Sequence, residues 1–454
     1  MSADPSAAPP GELIAVRRGH RPSCSSAGSV VGVALLSLGA ASLILNSFAD
    51  LFTAWRSGGG PPGPPPRLRP EADGGGRLAL PQGDVLELNP EGVAAARRAG
   101  ATEVGAAAPA AVTGALRAPE EAHLAVTDRC PAACAGCYLD AGPHRAGQDA
   151  AALGVVIDEL ADLGVLELAF GGGEALLRGD LVALAHRARA RGLVPNLTTS
   201  GFGLSPARAA ELAAVFGQIN VSIDGLERTY AEARGWEGAA QGRAAVRALV
   251  AAGARVGVNT VMSRPLLETP GALEALGAAI AEDGATEWQW LRFKPAGRGA
   301  AAWDQLAPPP ALLDGLWPRA LAVEAAGRLR LRWDCALVPF LVDHGVDPEA
   351  LRLLGVRGCT AGQDLWSRHA DGRWAGCSFL PGAPAEGALS AAWAAAPELQ
   401  ALRDRPAAEP CASCPVAATC RGGCRVVSAH LTGDAAAPDP ECPRVRRWEA
   451  ARVG

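Results

Sequence analysis

The sequence predicts an α/β protein, a partial (β/α)6 TIM-like barrel followed by a cysteine-rich domain. Strand-like and helix-like segments alternate between residues 122 and 293, which indicates parallel βαβ units. Three cysteines follow the first strand in one short loop, and seven more lie between Cys359 and Cys442. In a chain of 454 residues, such clustered cysteines are typical of metal or cluster ligands rather than of a small disulfide scaffold.

Residues 1–70 differ in composition from the rest of the chain. No charged residue occurs from Pro22 to Ala49, and an apolar run of about 20 residues is long enough to cross a bilayer. This predicts a transmembrane helix at about 28–48, with an uncleaved signal-like segment or a misassigned start codon as the alternatives. A stiff Pro/Gly linker ends near residue 70, and residues 71–120 form a poorly defined region before the core.

The barrel core is predicted at residues 121–299, with turns at Gly164, Gly192 and Gly253. Its βα units are too few for a closed eight-stranded barrel, so an open, partial barrel fits. A helical bridge at 300–355 and the cysteine-rich domain at 356–446 follow. The predicted strands are 122–127, 165–170, 194–199, 218–223, 255–261 and 287–293, and the predicted helices are 150–163, 180–191, 206–215 after the cap Ser205, 239–252 and 270–282.

The loop after the first strand has the spacing C-x3-C-x2-C, formed by Cys130, Cys134 and Cys137. The carboxyl ends of strands are where barrel-like folds carry their chemistry. An iron–sulfur cubane normally takes four thiolates, so three would leave one iron open. The alternative is a zinc site with a distant fourth ligand, but structural zinc loops more often carry C-x2-C pairs.

The C-terminal cysteines form a second pattern. Cys359 and Cys377 are separated by x12-Gly-x4, and a C-x2-C-x5-C-x3-C run precedes a final cysteine. Seven thiolates cannot fill two four-ligand sites, so either one cluster has an open iron or Cys335 supplies the eighth ligand. Two zinc sites are also compatible with the spacing, and Cys335 fits equally well as a packed free thiol. The later cysteines are Cys411, Cys414, Cys420, Cys424 and Cys442.

Followed by the aromatic Tyr138, the three-cysteine loop resembles the signature of the radical S-adenosylmethionine (radical SAM) superfamily. The seven later cysteines resemble the SPASM domain. The resemblance implies that the loop holds a 4Fe-4S cluster that binds SAM, whose reductive cleavage gives a 5′-deoxyadenosyl radical. It also implies two auxiliary 4Fe-4S clusters, the first held by Cys359, Cys377 and Cys424 and the second by Cys411, Cys414, Cys420 and Cys442.

The same resemblance assigns SAM contacts to turns after the next strands. Gly172, Gly173 and Glu174 match a Gly-Gly-Glu turn near the SAM amino group, although Ala175 stands where the family usually has proline. Glycine there lets backbone approach a ligand closely. An ordinary strand-to-helix turn is the plainer alternative.

Further along the chain, Thr199 and Ser200 match the region near the SAM ribose. Ser222 and Asp224 match a Ser-x-Asp-Gly turn, and Arg234 matches an arginine that reaches the SAM carboxylate. Each of these also fits turn chemistry or a solvated charge.

Segment 292–299 and the residues around Cys424 and Cys442 resemble radical SAM peptide maturases, including those for mycofactocin and pyrroloquinoline quinone. The resemblance implies modification of a ribosomally made peptide by thioether formation, carbon–carbon cross-linking, decarboxylation or epimerisation. A sulfatase-type (formylglycine) maturase and a zinc-stabilised, non-enzymatic scaffold are the alternatives. Arg292, Lys294 and Arg298 could bind a substrate carboxylate, but we favour solvated residues at the barrel edge.

The resemblance implies three partners: a precursor peptide, an electron donor such as flavodoxin or ferredoxin, and a separate peptide-recognition protein, since residues 71–120 look too short for a recognition domain. The net charge of −5 disfavours nucleic acid, which would select a basic stripe. Reduced clusters place the catalytic domain in the cytoplasm, anchored to the membrane if residues 28–48 form the helix. Deletion of that segment should then leave soluble, active enzyme.

Overall fold

The computed structural model describes residues 14–17, 66–80, 85–88, 90–98, 100–145, 147–348, 351, 356–404 and 408–453. The apolar segment predicted at 28–48 lies outside the described residues. Within the described ranges, no helix is both long enough and apolar enough to span a bilayer.

A small sheet precedes the barrel in the region whose structure the sequence left undefined. Its strand order is β1-β4-β3-β2-β5. Arg69 docks it against the barrel, because its Nη1 donates to the backbone oxygens of Pro119 (2.6 Å) and Gly164 (2.9 Å). Arg67 donates likewise to Gly192 O at 2.7 Å. The elements are β1 (Ile14–Arg17), β2 (Arg67–Pro70), β3 (Gly76–Ala79), β4 (Val85–Leu88), α1 (Pro90–Arg98) and β5 (Thr102–Glu103).

The predicted barrel is present, and each predicted strand and helix lies within two residues of an observed one at either end. Neighbouring strands from β6 to β11 pair in parallel. The strands are β6 (Glu121–Thr127), β7 (Glu167–Gly172), β8 (Val194–Thr199), β9 (Ile219–Ser222), β10 (Val256–Met262) and β11 (Glu287–Arg292). The helices are α2 (Ala150–Leu163), α3 (Leu181–Ala190), α4 (Pro206–Val215), α5 (Glu227–Arg234), α6 (Ala239–Ala251), α7 (Arg264–Glu268) and α8 (Ala272–Glu282).

The barrel sheet extends beyond these strands at both edges. β12 (Arg330–Trp333) pairs in parallel with β11 inside the segment predicted to be a helical bridge. β13 (Leu365–Arg368) pairs in parallel with β6, and β14 (Trp374–Ala375) follows antiparallel. Residues 328–333 alternate between arginine and an apolar side chain, which is the period-2 pattern of a half-buried strand. The prediction of a helical bridge therefore missed a local strand signal.

The rest of the described chain is helical or irregular. Two short 3-10 helices, Ala175–Leu177 and Cys335–Leu337, follow β7 and β12. The remaining helices are α9 (Arg298–Ala301), α10 (Trp303–Leu306), α11 (Pro310–Asp314), α12 (Leu316–Ala325), α13 (Val338–Asp343), α14 (Leu389–Ala395), α15 (Pro397–Arg403), α16 (Ala417–Cys420), α17 (Arg425–Thr432) and α18 (Pro443–Val453).

Side chains alternate between the two faces of the barrel strands. Leu124 and Phe170 are fully buried among the helices. Residues at alternate positions point to the opposite face, and among them Asn196, Asn220 and Asn259 are partly exposed. That second face is therefore polar and suited to a polar ligand.

A buried carboxylate begins β11 at the amino-terminal end of the barrel. Glu287 Oε1 accepts from Arg255 Nη2 at 2.7 Å, and Oε2 accepts from Gln218 Nε2 at 3.2 Å. Burial opposes ionisation, but the charges of Arg332 and Arg255 outweigh it and lower the pKa of Glu287 to about 2. Its ionised form thus stabilises the fold above its ordinary pKa of 4.5, and that stability is lost as the pH falls from there toward 2.

We expect Glu287→Gln to lower the free energy of unfolding at pH 7 by about 2 kcal/mol, because the arginines lose a buried anionic partner. Urea denaturation followed by far-UV circular dichroism measures the change. Glu386→Gln, at an exposed position, is the matched control. Equal urea midpoints for the two variants would contradict this account of Glu287.

Candidate cluster and cofactor site

The three-cysteine loop is folded onto the carboxyl end of β6. Cys130 N donates to Gly142 O at 3.0 Å, and Cys137 N donates to Cys134 O at 3.2 Å. Arg298 fixes the loop from outside, since its Nε donates to Cys134 O at 2.9 Å and its backbone N donates to Cys137 O at 3.0 Å. Arg298, expected as a solvated residue at the barrel edge, is partly exposed, and it also holds the cysteine loop through these hydrogen bonds.

The thiol of Cys134 lies beside two donors, one from the last residue of α5 and one from the loop that follows it. Trp236 Nε1 lies 3.3 Å from Cys134 Sγ, and Arg234 Nη1 lies 3.9 Å from it. Arg234 Nε donates to Asp224 Oδ2 at 2.6 Å, and Asp224 Oδ1 accepts from Val261 N at 2.8 Å. The structure thus brings the predicted residues Asp224 and Arg234 to the predicted cysteine loop.

Burial acts to lower the pKa of Arg234, but the charges of Asp224 and Cys134 outweigh it and raise that pKa. Arg234 is therefore a fixed cation beside the thiol. Trp236 was missed by the sequence analysis. The sequence places Trp236 two residues after Arg234, but Trp236 belongs to no motif that would predict its contact with Cys134.

The glycine turn after β7 packs directly on the cysteine loop. Gly172 has a φ of +119°, and Gly173 N donates to Thr127 O at 2.6 Å. A Cβ on Gly173 would lie 2.4 Å from the backbone oxygen of Arg129, the residue before Cys130. Glycine is therefore required for this close approach.

Glu174 connects that turn to the end of β8. Its carboxylate is buried and accepts from Thr199 Oγ1 (2.6 Å), Ser200 N (2.9 Å) and Ser200 Oγ (2.5 Å). Three more predicted residues are thereby joined, with the Glu174 side chain holding the turn at Thr199 and Ser200. Ser222, on β9, pairs in register with Asn259, whose Oδ1 is buried without a hydrogen-bond partner among the described residues.

Four of the C-terminal cysteines line one small pocket. Arg444 Nη1 lies 3.9 Å from the sulfur of one of them, Cys414. Burial, together with the charge of Cys442, raises the pKa of Cys420 to about 12. The four are Cys411, Cys414, Cys420 and Cys442.

The other predicted set, Cys359, Cys377 and Cys424, is also drawn together. Burial raises the pKa of Cys377 to about 12, and the nearby charges of Cys359 and Cys424 contribute to the increase. Within the ranges that the structure describes, no three His, Cys, Asp or Glu side chains converge in metal-binding geometry. What the structure gives for both sets is proximity. Cys420, Cys424 and Cys442 are buried, and the other four cysteines are partly exposed.

Two basic residues at the end of β11 are buried rather than solvated, which corrects the sequence expectation. Arg292 pairs with Asp439 through two contacts, of 2.5 and 3.1 Å, and with Glu441 at 2.7 Å. Lys294 forms a buried ion pair with Asp334. The residues around Asp439 cover the end of β11, which no local sequence pattern foretells.

This chain is similar to a known protein family and to several characterised proteins. The Radical SAM superfamily profile matches residues 124–267. The PqqA peptide cyclase of Methylocella silvestris is 32% identical over 70% of this chain and 85% of that protein. The mycofactocin maturase MftC of Mycobacterium ulcerans is 30% identical over 70% of this chain and 86% of that protein.

Among solved structures, Streptococcus suis SuiB bound to its precursor peptide SuiA aligns with a TM-score of 0.60. The alignment has 17% identity and covers 78% of this chain and 81% of SuiB. At this identity, the match supports the fold.

The glycine triplet offers an internally controlled test of the loop packing. We expect Gly173→Ala to destabilise the fold by about 1–3 kcal/mol, because its Cβ would overlap the Arg129 backbone. Gly171→Ala is the matched control, since no atom lies within 4 Å of its added Cβ. Thermal unfolding measures stability, and hydrogen exchange at residues 128–138 should accelerate only in Gly173→Ala. Equal behaviour of the two variants would contradict this packing.

Proposed function

Because the chain belongs to the radical SAM superfamily and is an iron–sulfur radical SAM enzyme, we propose that it is a peptide maturase that modifies a ribosomally made precursor. The observation that carries the proposal is the convergence, at the carboxyl end of the barrel, of the cysteine loop, the Glu174 turn and the Asp224–Arg234 pair.

The relatives support a peptide substrate. Proteins at 30–32% identity over most of their length are named as a peptide cyclase and a maturase, and SuiB binds a precursor peptide. This favours the peptide maturase over the sulfatase-type maturase and over the zinc scaffold.

In the proposed site, Cys130, Cys134 and Cys137 would hold a 4Fe-4S cluster that binds SAM. With one electron supplied by a donor, that group would provide reductive cleavage of SAM and radical hydrogen abstraction from the substrate. The fit is supported by the cation beside the thiol and by the unpartnered buried oxygen of Asn259. The SAM-contacting residues are Gly172, Gly173, Glu174, Thr199, Ser200, Ser222, Asp224 and Arg234.

The protein's own groups position and shield the reacting molecules. Arg234, held by Asp224, would orient the SAM carboxylate and offset negative charge near Cys134. Glu174 fixes the Thr199–Ser200 turn, so the backbone facing the ribose is ordered before binding. Trp236 directs an N–H toward the Cys134 sulfur, and such hydrogen bonds tune cluster potentials.

The C-terminal domain would be a SPASM domain with two auxiliary 4Fe-4S clusters that relay electrons or bind substrate. The pocket shared by Cys411, Cys414, Cys420 and Cys442 supports the second cluster. We further propose a flavodoxin- or ferredoxin-type electron donor and a separate peptide-recognition protein. Reduced clusters and SAM would place the catalytic part in the cytoplasm.

The direct test uses the full chain, purified and reconstituted without oxygen. With SAM and dithionite we expect 5′-deoxyadenosine, and Cys134→Ala should abolish it because the cluster loses a thiolate. Each short peptide encoded beside this gene, made synthetically, is then incubated with the enzyme and examined by mass spectrometry. A mass or fragmentation change in one peptide supports the maturase. Deoxyadenosine release with all of these peptides unchanged, but with a cysteine- or serine-containing sulfatase peptide oxidised, would favour the sulfatase-type enzyme.

The N–H of Trp236 that faces Cys134 can be removed with little change in packing. In Trp236→Phe the ring contact with Tyr230 (5.6 Å between centroids) can persist, while the N–H that faces Cys134 is lost. We expect a more negative potential for the SAM-binding cluster, since hydrogen bonds to sulfur stabilise the reduced, more anionic state.

Redox titration monitored by electron paramagnetic resonance (EPR) measures that potential. Trp448→Phe, on α18, is the control and should leave the potential unchanged. Identical potentials in both variants would rule out this role for Trp236.

A further inference from the structure

The first auxiliary set is one ligand short if the proposed function holds, and the following inference rests on that function. A 4Fe-4S cluster is normally held by four thiolates. The resemblance assigns only Cys359, Cys377 and Cys424 to this set, whereas the second set has four cysteines around one pocket. The missing ligand must come from elsewhere, or one iron stays open.

Cys335 is carried to this set by the structure around β12. It begins the 3-10 helix Cys335–Leu337, directly after the strand. The next residue, Ala336, packs in one buried apolar cluster with Cys424 and Val427. The fold therefore places the residue after Cys335 in the same buried cluster as a cysteine of this set that is distant in sequence.

Lys294 ties the same loop to the Cys377 turn. Its ammonium pairs with Asp334, the residue before Cys335, and lies 4.5 Å from the centroid of the Phe379 ring. Phe379 sits inside the turn in which Leu380 N donates to Cys377 O at 3.0 Å. The loop at Cys335 and the turn at Cys377 thus flank one buried cation.

The charge of Lys294 is compatible with this grouping. Its side chain is buried, and its ammonium pairs with Asp334 beside Cys335. A permanent cation beside several thiolates offsets part of the charge that a ligated cluster would bring into a buried site.

The neighbouring carboxylate is a weaker candidate ligand, because other groups already occupy it. Asp334 Oδ2 accepts from Arg292 N at 3.0 Å and pairs with Lys294, and Oδ1 accepts from Ala336 N at 3.3 Å. The Cys335 thiol donates a weak hydrogen bond to Asp334 Oδ1 at 3.4 Å. Its sulfur lone pairs can therefore bind iron.

We propose that Cys335 is the fourth thiolate of the first auxiliary cluster, completing the set with Cys359, Cys377 and Cys424 and leaving no open iron. On ligation the thiol releases its proton to solvent and forms an iron–sulfur bond, with no change in oxidation state. A fully ligated cluster carries electrons but offers no iron to the substrate.

The test isolates the auxiliary clusters in the full chain by combining Cys130→Ala, Cys134→Ala and Cys137→Ala. This parent protein should bind about eight irons, as two four-iron clusters, and isotope-labelled cyanide should give no hyperfine coupling. Adding Cys335→Ala should either reduce the iron content to about four or create a cyanide-binding iron seen by EPR. Cys24→Ala is the thiol control and should change neither readout.

The outcomes distinguish a failure of the Cys335 ligand role from a failure of the auxiliary clusters themselves. A parent that binds cyanide, or a Cys335→Ala protein with unchanged iron, EPR spectrum and cyanide response, overturns the assignment of Cys335 alone. A parent without iron removes the auxiliary clusters and with them the ligand role.

The second cluster reports folding within the same sample. If Cys335→Ala loses the second cluster as well, the test is repeated with Cys335→Ser. Serine keeps the side-chain volume close to that of cysteine and offers a weaker oxygen ligand. An altered first cluster beside an intact second one supports ligation, and two unaltered clusters contradict it.

Discussion

The buried ion pair between Arg292 and Asp439 is the interaction on which the rest of the arrangement depends. Both side chains are almost completely enclosed, with exposures of 1% and 0%. Asp439 Oδ2 also accepts from Cys424 N at 2.9 Å, so the pair fixes a C-terminal cysteine relative to the end of β11. Removing one partner of such a pair leaves an uncompensated buried charge, which costs about 3–5 kcal/mol. The end of β11 and the C-terminal cysteine region therefore cannot separate at this point without a large penalty.

The short segment after β11 connects this junction to the cysteine loop. Arg292 and Lys294 face the C-terminal cysteines, whereas Arg298 holds the backbone oxygens of the loop that contains Cys134. Gly297 adopts a φ of +53°, and a Cβ there would lie 2.6 Å from Cys137 O. One stretch of chain thus sets the positions of two groups of thiols, which gives its basic residues a structural role.

The sequence was informative where a local pattern reports directly on structure. Alternating apolar periodicities located the strands and helices from β6 to β11, and cysteine spacing singled out the thiols that the fold later brings together. Burial of Arg292 and the reach of Trp236 to Cys134 depend on contacts between distant segments. A tryptophan without a motif carries no local signal of such a contact. Cys335 belongs to the same class, because only the fold brings it near Cys424. The strand β12 is different, because its alternation of arginine and apolar residues is a local strand signal that the predicted helical bridge overlooked.

A ring contact links the cysteine loop to the first auxiliary set. Tyr138, which follows Cys137, lies with its ring centroid 4.5 Å from that of Phe379, two residues after Cys377. Burial raises the pKa of Tyr138, so its phenol stays protonated and neutral. Lys294 lies over the other ring of this pair and also faces the Cys335 loop. If Cys335 completes the first auxiliary cluster, electrons from that cluster could pass through the packed Phe379 and Tyr138 rings to the cysteine loop of the barrel. This favours an electron-relay role for the cluster over substrate binding at an open iron.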